Sequence, residues 1–152
     1  MKTRFLLSIF SAILLFVFIS SCKKDAEIKI SKNGETESHN MGQACTNCHK
    51  SGGPGEGIFT IAGTIYDSTL VNPLPNGKVE FYDAAVGGNL MLTLEVDGNG
   101  NFYTTNNVSF GSGLYPRAVS PMGDIHEMLV PFSGGSCASC HGNTRPRVWT
   151  HE

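Results

Sequence analysis

Two copies of one five-residue pattern constrain this chain more than anything else in it: Cys45-Thr46-Asn47-Cys48-His49 and Cys137-Ala138-Ser139-Cys140-His141. Two thiols about one turn apart can reach two vinyl groups on one edge of a porphyrin. The His that follows then lies where its ring nitrogen can bind iron axially, so Cys-x-x-Cys-His reads as a c-type haem attachment site. Covalent attachment keeps a large apolar group in place without a deep core, which suits a chain punctuated by eighteen Gly and seven Pro. The pattern predicts Cys45, Cys48, Cys137 and Cys140 as thioether anchors of two haems. It predicts His49 and His141 as the proximal iron ligands. The same four cysteines could instead hold one tetrahedral zinc ion, form two short disulfides, or include a redox-active pair. Zinc knuckles do not ask for His after the second Cys of both pairs, and a thioredoxin-type motif needs a βαβ setting that this sequence lacks.

Haem iron in electron-transfer proteins takes a second axial ligand from His or Met, and Met raises the potential. Three histidines lie outside the motifs: His39, His126 and His151. His39 precedes Cys45 by six residues, a length that spans about 20 Å when extended, so it can fold over its own haem or serve the other. His126 sits in Asp124-Ile125-His126-Glu127-Met128 between Pro121 and Pro131, on an expected short loop or turn. Bis-His ligation, with His39 and His126 as the distal ligands, is the expectation; Met128 is the substitute for His126.

The N-terminus reads as an export signal. Lys2 and Arg4 precede an apolar run from Phe5 to Ile19, short for a bilayer span of about 20 residues. Ile19-Ser20-Ser21-Cys22 follows, and it resembles the lipobox of bacterial lipoproteins. That resemblance implies cleavage before Cys22 and lipidation of its thiol, where several acyl chains anchor stably and one does so only marginally. An ordinary cleaved leader and an uncleaved span are the alternatives. With Cys22 lipidated, each of the five cysteines has a role. Residues 22–38, charged and poor in apolar side chains, read as a solvated tether. Lys2 and Arg4 leave with the leader, so nine of the eleven basic residues face thirteen acids. No basic stripe exists to hold phosphates, which excludes a nucleic-acid partner.

Between the motifs the pattern is β. Ile58–Tyr66 is rich in β-branched and aromatic residues, Val79 and Phe81 alternate inward, and Leu90, Leu92, Leu94 and Val96 form a period-two face. Asn76-Gly77 and Asp97-Gly98-Asn99-Gly100 are turn signals, the latter read as a hairpin into Asn101–Thr105. Asp97, Asn99 and Asn101 also suggest a calcium loop, but Val108 stands where the acidic twelfth ligand is needed. A last strand at 114–119 contains Pro116, which confines it to a sheet edge. Gly52-Gly53-Pro54-Gly55 lacks the Lys and Ser/Thr of a phosphate loop and reads as a flexible linker.

Ala62-Gly63-Thr64-Ile65-Tyr66, Pro75-Asn76-Gly77-Lys78-Val79, Asp97-Gly98-Asn99-Gly100-Asn101-Phe102 and Leu114-Tyr115 resemble, in order, the motifs of a carboxypeptidase-regulatory-like β-sandwich. The Cys-x-x-Cys-His segments resemble those of multihaem c-type cytochromes of outer-membrane electron-transfer systems. Together these imply a mainly β chain: a small antiparallel β-sandwich flanked by two loop-rich c-type haem-binding segments. The expected division is a lipoprotein signal peptide at 1–21, a tether at 22–38 and a first haem segment at 39–57. A sandwich at 58–120 and a second haem segment at 121–152 complete it. The implied function is electron transfer between redox proteins in the cell envelope or at the cell surface, by a membrane-anchored dihaem cytochrome of an outer-membrane type. A dihaem peroxidase or reductase, with one iron left open, is the enzymatic alternative. A glycan- or protein-binding sandwich with zinc on the cysteines is the other.

Overall fold

Six short strands make up the sheets of the computed structural model, which describes residues 28–152. The leader and Cys22 lie outside the described residues. The strands are β1 (Ile61–Thr64), β2 (Lys78–Tyr82), β3 (Leu90–Glu95), β4 (Asn101–Thr104), β5 (Tyr115–Val119) and β6 (Ile125–Glu127). The strands β1 and β4 form a two-stranded sheet, and the order β3-β2-β5-β6 makes a four-stranded one; strand neighbours in both sheets are antiparallel. Ile61 and Phe102 from the first sheet, with Ile65 just past β1, meet Val79, Phe81 and Leu94 from the second in one apolar cluster. The chain is therefore mainly β with antiparallel sheets.

All five expected strands stand where the sequence placed them, but their connections differ. Asp97–Gly100 does not join a hairpin: β3 pairs with β2, whereas β4 pairs with β1. The turn closes locally, Asp97 N–H donating to the Asn101 carbonyl (2.8 Å), and then hands the chain from one sheet to the other. The strand β5 is internal, with β2 on one side and β6 on the other, so Pro116 is not at an edge. Its carbonyl accepts from Met128 N–H (2.9 Å), beyond the paired residues of β6, which end at Glu127. In an antiparallel strand the N and C=O of one residue face the same neighbour, so the missing donor of Pro116 falls past the β6 ladder. The segment around His126 was expected as a loop and is the edge strand β6.

Residues 28–38 are not a loose tether. Ser31 is buried, its N–H donates to the Tyr103 carbonyl (3.0 Å) and its hydroxyl to the Glu95 carbonyl (2.6 Å). Thr105 N–H donates back to the Lys29 carbonyl (2.8 Å). This stretch covers the ends of β3 and β4.

The strand β1 is buried along its whole length. Ile61 and Gly63 share the face of their register partners Thr104 and Phe102, toward the core. Gly63 is needed there, because a Cβ at this position would lie 2.5 Å from the Phe102 ring and 3.0 Å from the Cys137 Cβ. Gly63→Val should cost about 1–3 kcal/mol by overpacking, and Phe81→Ala about 3–5 kcal/mol by leaving a void. Thermal unfolding followed by circular dichroism checks both; a Gly63→Val chain as stable as the parent would contradict this packing.

Candidate haem-binding site

Each Cys-x-x-Cys segment folds into a single 3-10 turn, Cys45–Asn47 and Cys137–Ser139. In each, the N–H of the following His returns to the carbonyl of the first Cys, at 2.9 Å for His49 and 3.0 Å for His141. The turn thus sets both thiols and the imidazole on one short, closed backbone unit. No disulfide links the four cysteines, and in each pair the first is half-buried and the second exposed. Among the described residues, no group of three or more His, Cys, Asp or Glu converges on a point that could hold a metal ion. A tetrahedral zinc site draws on four such groups, whereas a porphyrin supplies four nitrogens itself and asks the protein for one or two.

The imidazole of His49 is fixed on three sides. Its Nδ1 lies 2.8 Å from the Glu56 carbonyl oxygen, its ring stacks on Phe59 at 4.0 Å between centroids, and Phe59 stacks in turn on Tyr103 at 4.9 Å. On another side lies Gly55, where a Cβ would be 2.8 Å from Nδ1. The Gly52–Gly55 stretch, expected as a flexible linker, is a tight turn: Gly55 N–H donates to the Cys48 carbonyl (3.0 Å). Nδ1 as donor to a carbonyl selects the tautomer with its lone pair on Nε2, the arrangement that prepares a histidine for a metal. His141 repeats it, with Nδ1 2.7 Å from the Pro146 carbonyl oxygen. His126 does so as well, 2.8 Å from the Trp149 carbonyl oxygen.

His39 lies across from His49. The two ring centroids are 6.2 Å apart with the planes tilted by 41°. Metal–imidazole bonds of about 2 Å place two facing rings about 6 Å apart across one metal ion. A cavity of about 530 Å³ opens beside them, walled by His39, Cys45, Cys48, His49, Phe59 and Tyr103. Both thiols and the ring of the first motif, together with the His39 ring, therefore border one space of ligand size, and this donor set fits a covalently held haem. The second motif has Cys137, Cys140 and a tautomer-fixed His141, but among the described residues no ring contact joins it to another histidine. His126 instead packs on Trp149 at 4.2 Å, and Trp149 meets His151 edge-on at 5.2 Å.

The strand β1 touches both 3-10 turns. Cys137 packs over Gly63 into the apolar cluster. Burial pushes its thiol up to about 12, with Cys45 and then Cys140 adding to the rise. Burial also raises the Cys45 thiol. Both 3-10 turns therefore lie against the same strand, although 91 residues separate their first cysteines in sequence.

No family model, no curated protein and no solved structure matches this chain. The chemistry of the site is therefore read from its own geometry.

Burial disfavours the thiolate, the species that alkylates. In chains whose thiols are free, iodoacetamide at pH 8 should label Cys48 and Cys140 first and Cys137 last. Burial keeps Cys137 almost wholly protonated at that pH, and labelling should rise as the pH climbs toward 12. Peptide mapping by mass spectrometry follows each site; equal rates at all four would contradict the burial.

Proposed function

We propose that this chain is a lipid-anchored dihaem c-type cytochrome that passes electrons between redox proteins in the cell envelope or at the cell surface. The observation that carries the reading is the first-motif cavity, where the His39 and His49 rings lie 6.2 Å apart, the separation one metal ion between them would give, beside the two thiols that would hold a porphyrin. When bound, each haem supplies an iron that shuttles between two oxidation states, at a potential tuned by its axial ligands and surroundings. The chain's residues do the rest. Cys45, Cys48, Cys137 and Cys140 anchor the groups covalently, and His49 and His141 are the proximal ligands. His39 would serve as the second ligand of the first iron. His126, with its Nδ1 occupied and its ring exposed on an edge strand, is the candidate for the second. The packing of both 3-10 turns against β1 favours two haems close enough to exchange electrons within the chain. The sheets serve as the frame that brings the two attachment segments together, in the manner of a carboxypeptidase-regulatory-like module. Cys22 carries the lipid that holds the protein to a membrane, with the outer membrane the assigned location, and other cytochromes or redox proteins are its partners. Nothing in this reading calls for nucleic acid or for substrate chemistry.

Expression in a host competent for c-type haem attachment tests the assignment residue by residue. The intact mass of the mature chain should show lipid on Cys22 and two covalent haems. The double change Cys45→Ser, Cys48→Ser should remove one haem, and Cys137→Ser, Cys140→Ser the other. A parent chain without covalent haem would contradict the proposal.

The difference between the motifs favours a second reading for the second iron. His141 lacks the facing ring that His49 has, and an iron held by His141 alone would be open to exogenous ligands, as in a dihaem peroxidase or reductase. Cyanide titration separates the two: no binding supports a pure electron carrier, whereas one cyanide per chain with turnover of peroxide supports the enzyme.

A further inference from the structure

The segment that carries His39 is held by two side chains of the small sheet. Asn101 on β4 and Thr64 on β1 are register partners and both are buried. The Thr64 hydroxyl donates to Asn101 Oδ1 (2.6 Å) and accepts from the Gly42 N–H (2.8 Å). The Asn101 amide, its oxygen already engaged, donates through Nδ2 to the Ser38 hydroxyl (2.8 Å) and, more distantly, to the His39 carbonyl (3.4 Å). One linked pair therefore grips the chain on both sides of His39, at Ser38 and at Gly42. The arch between is tight: Asn40 has a positive φ of 55°, and Gln43 N–H donates to the Asn40 carbonyl (3.0 Å).

The turn before β4 completes the hold. Asp97, buried, accepts through Oδ1 from the N–H groups of Asn99 (2.9 Å) and Asn101 (3.0 Å). That frees the Asn99 side chain to donate to the carbonyls of Ser38 (2.7 Å) and Thr36 (3.0 Å). The Asp-x-Asn-x-Asn spacing, which on sequence alone suggests a cation loop or a plain turn, thus spends both of its asparagine amides on the residues around His39.

We propose that Thr64 and Asn101 are positioning residues that hold His39 opposite His49 and so keep the first iron six-coordinate. This rests on the dihaem reading above. A short loop that leaves one imidazole poised 6.2 Å from another loses rotational and backbone freedom in doing so, and local hydrogen bonds from buried groups are what offset that cost. Neither side chain would be a ligand of the metal: Thr64 lies outside the cavity, and Asn101 borders it with its amide engaged by Thr64 and Ser38. Each acts through the main chain and Ser38, so its removal should loosen the ligand without removing it.

The test uses the full chain carrying its haems, with carbon monoxide bound to the reduced protein as the probe. His39→Ala should bind one more carbon monoxide per chain than the parent. Thr64→Val and Asn101→Leu, which keep shape but lose the hydrogen bonds, should each open the same iron in part, with both haems still present by intact mass. Thr64→Ser, which restores the hydroxyl, should return to the parental stoichiometry. Thr64→Val carries the test if Asn101→Leu does not fold. A Thr64→Val chain that melts earlier but binds no extra carbon monoxide would overturn the positioning role. So would a His39→Ala chain with no newly open iron. A parent chain lacking covalent haem overturns the dihaem reading itself, and intact mass distinguishes that result from the other two.

Discussion

The contact of Cys137 with Gly63 and Phe102 is where the sheets and the cysteine segments become one structure. The strand β1 carries no side chain at Gly63, so Phe102 from β4 and the Cβ of Cys137 can close on the same point of the backbone. On the other face of β1, Thr64 receives the Gly42 N–H from the segment leading into Cys45. One four-residue strand is therefore covered on both sides, by the core and the second motif on one and by the approach to the first motif on the other. Without that double coverage the two motifs would be tails on a small β domain, with nothing to set their separation.

The support for His49 follows the same logic of close approach. An imidazole that must present one nitrogen needs its other nitrogen and both ring faces occupied, and here a carbonyl, a stacked Phe59 and a side-chain-free Gly55 do this. His39 needs a different kind of support, because it comes from a segment outside regular strands. The polar pair Thr64–Asn101 supplies it. Rigid packing on one side and a hydrogen-bonded arch on the other define the separation of the rings.

Much of the fold was legible in the period-two pattern, because Val79, Phe81 and Leu94 are buried while their neighbours are not. The pattern cannot say which strand pairs with which. The turn at Asp97 looks like a hairpin in sequence, yet its two strands enter different sheets. Pro116 argues for an edge, yet it sits inside the sheet because its missing donor falls beyond the short β6. The polar stretch before His39 lacks an apolar period, and its order comes from hydrogen bonds that alternation does not reveal. Both Cys-x-x-Cys-His units and the candidate His39 were readable from residue type and spacing. That His39 faces His49, that Gly55 lies against the ring, and that Asn101 and Thr64 hold the arch depend on long-range pairing. The one local hint was the clustering of glycines just after His49.

The measurement that tests the central claim most directly is the visible absorption spectrum of the full chain, oxidised and reduced, together with its metal content. The account predicts a low-spin c-type spectrum and two irons per chain, with His39→Ala converting one of them to a high-spin form. A colourless protein, or one whose cysteines hold zinc or disulfides in place of haem, would contradict it.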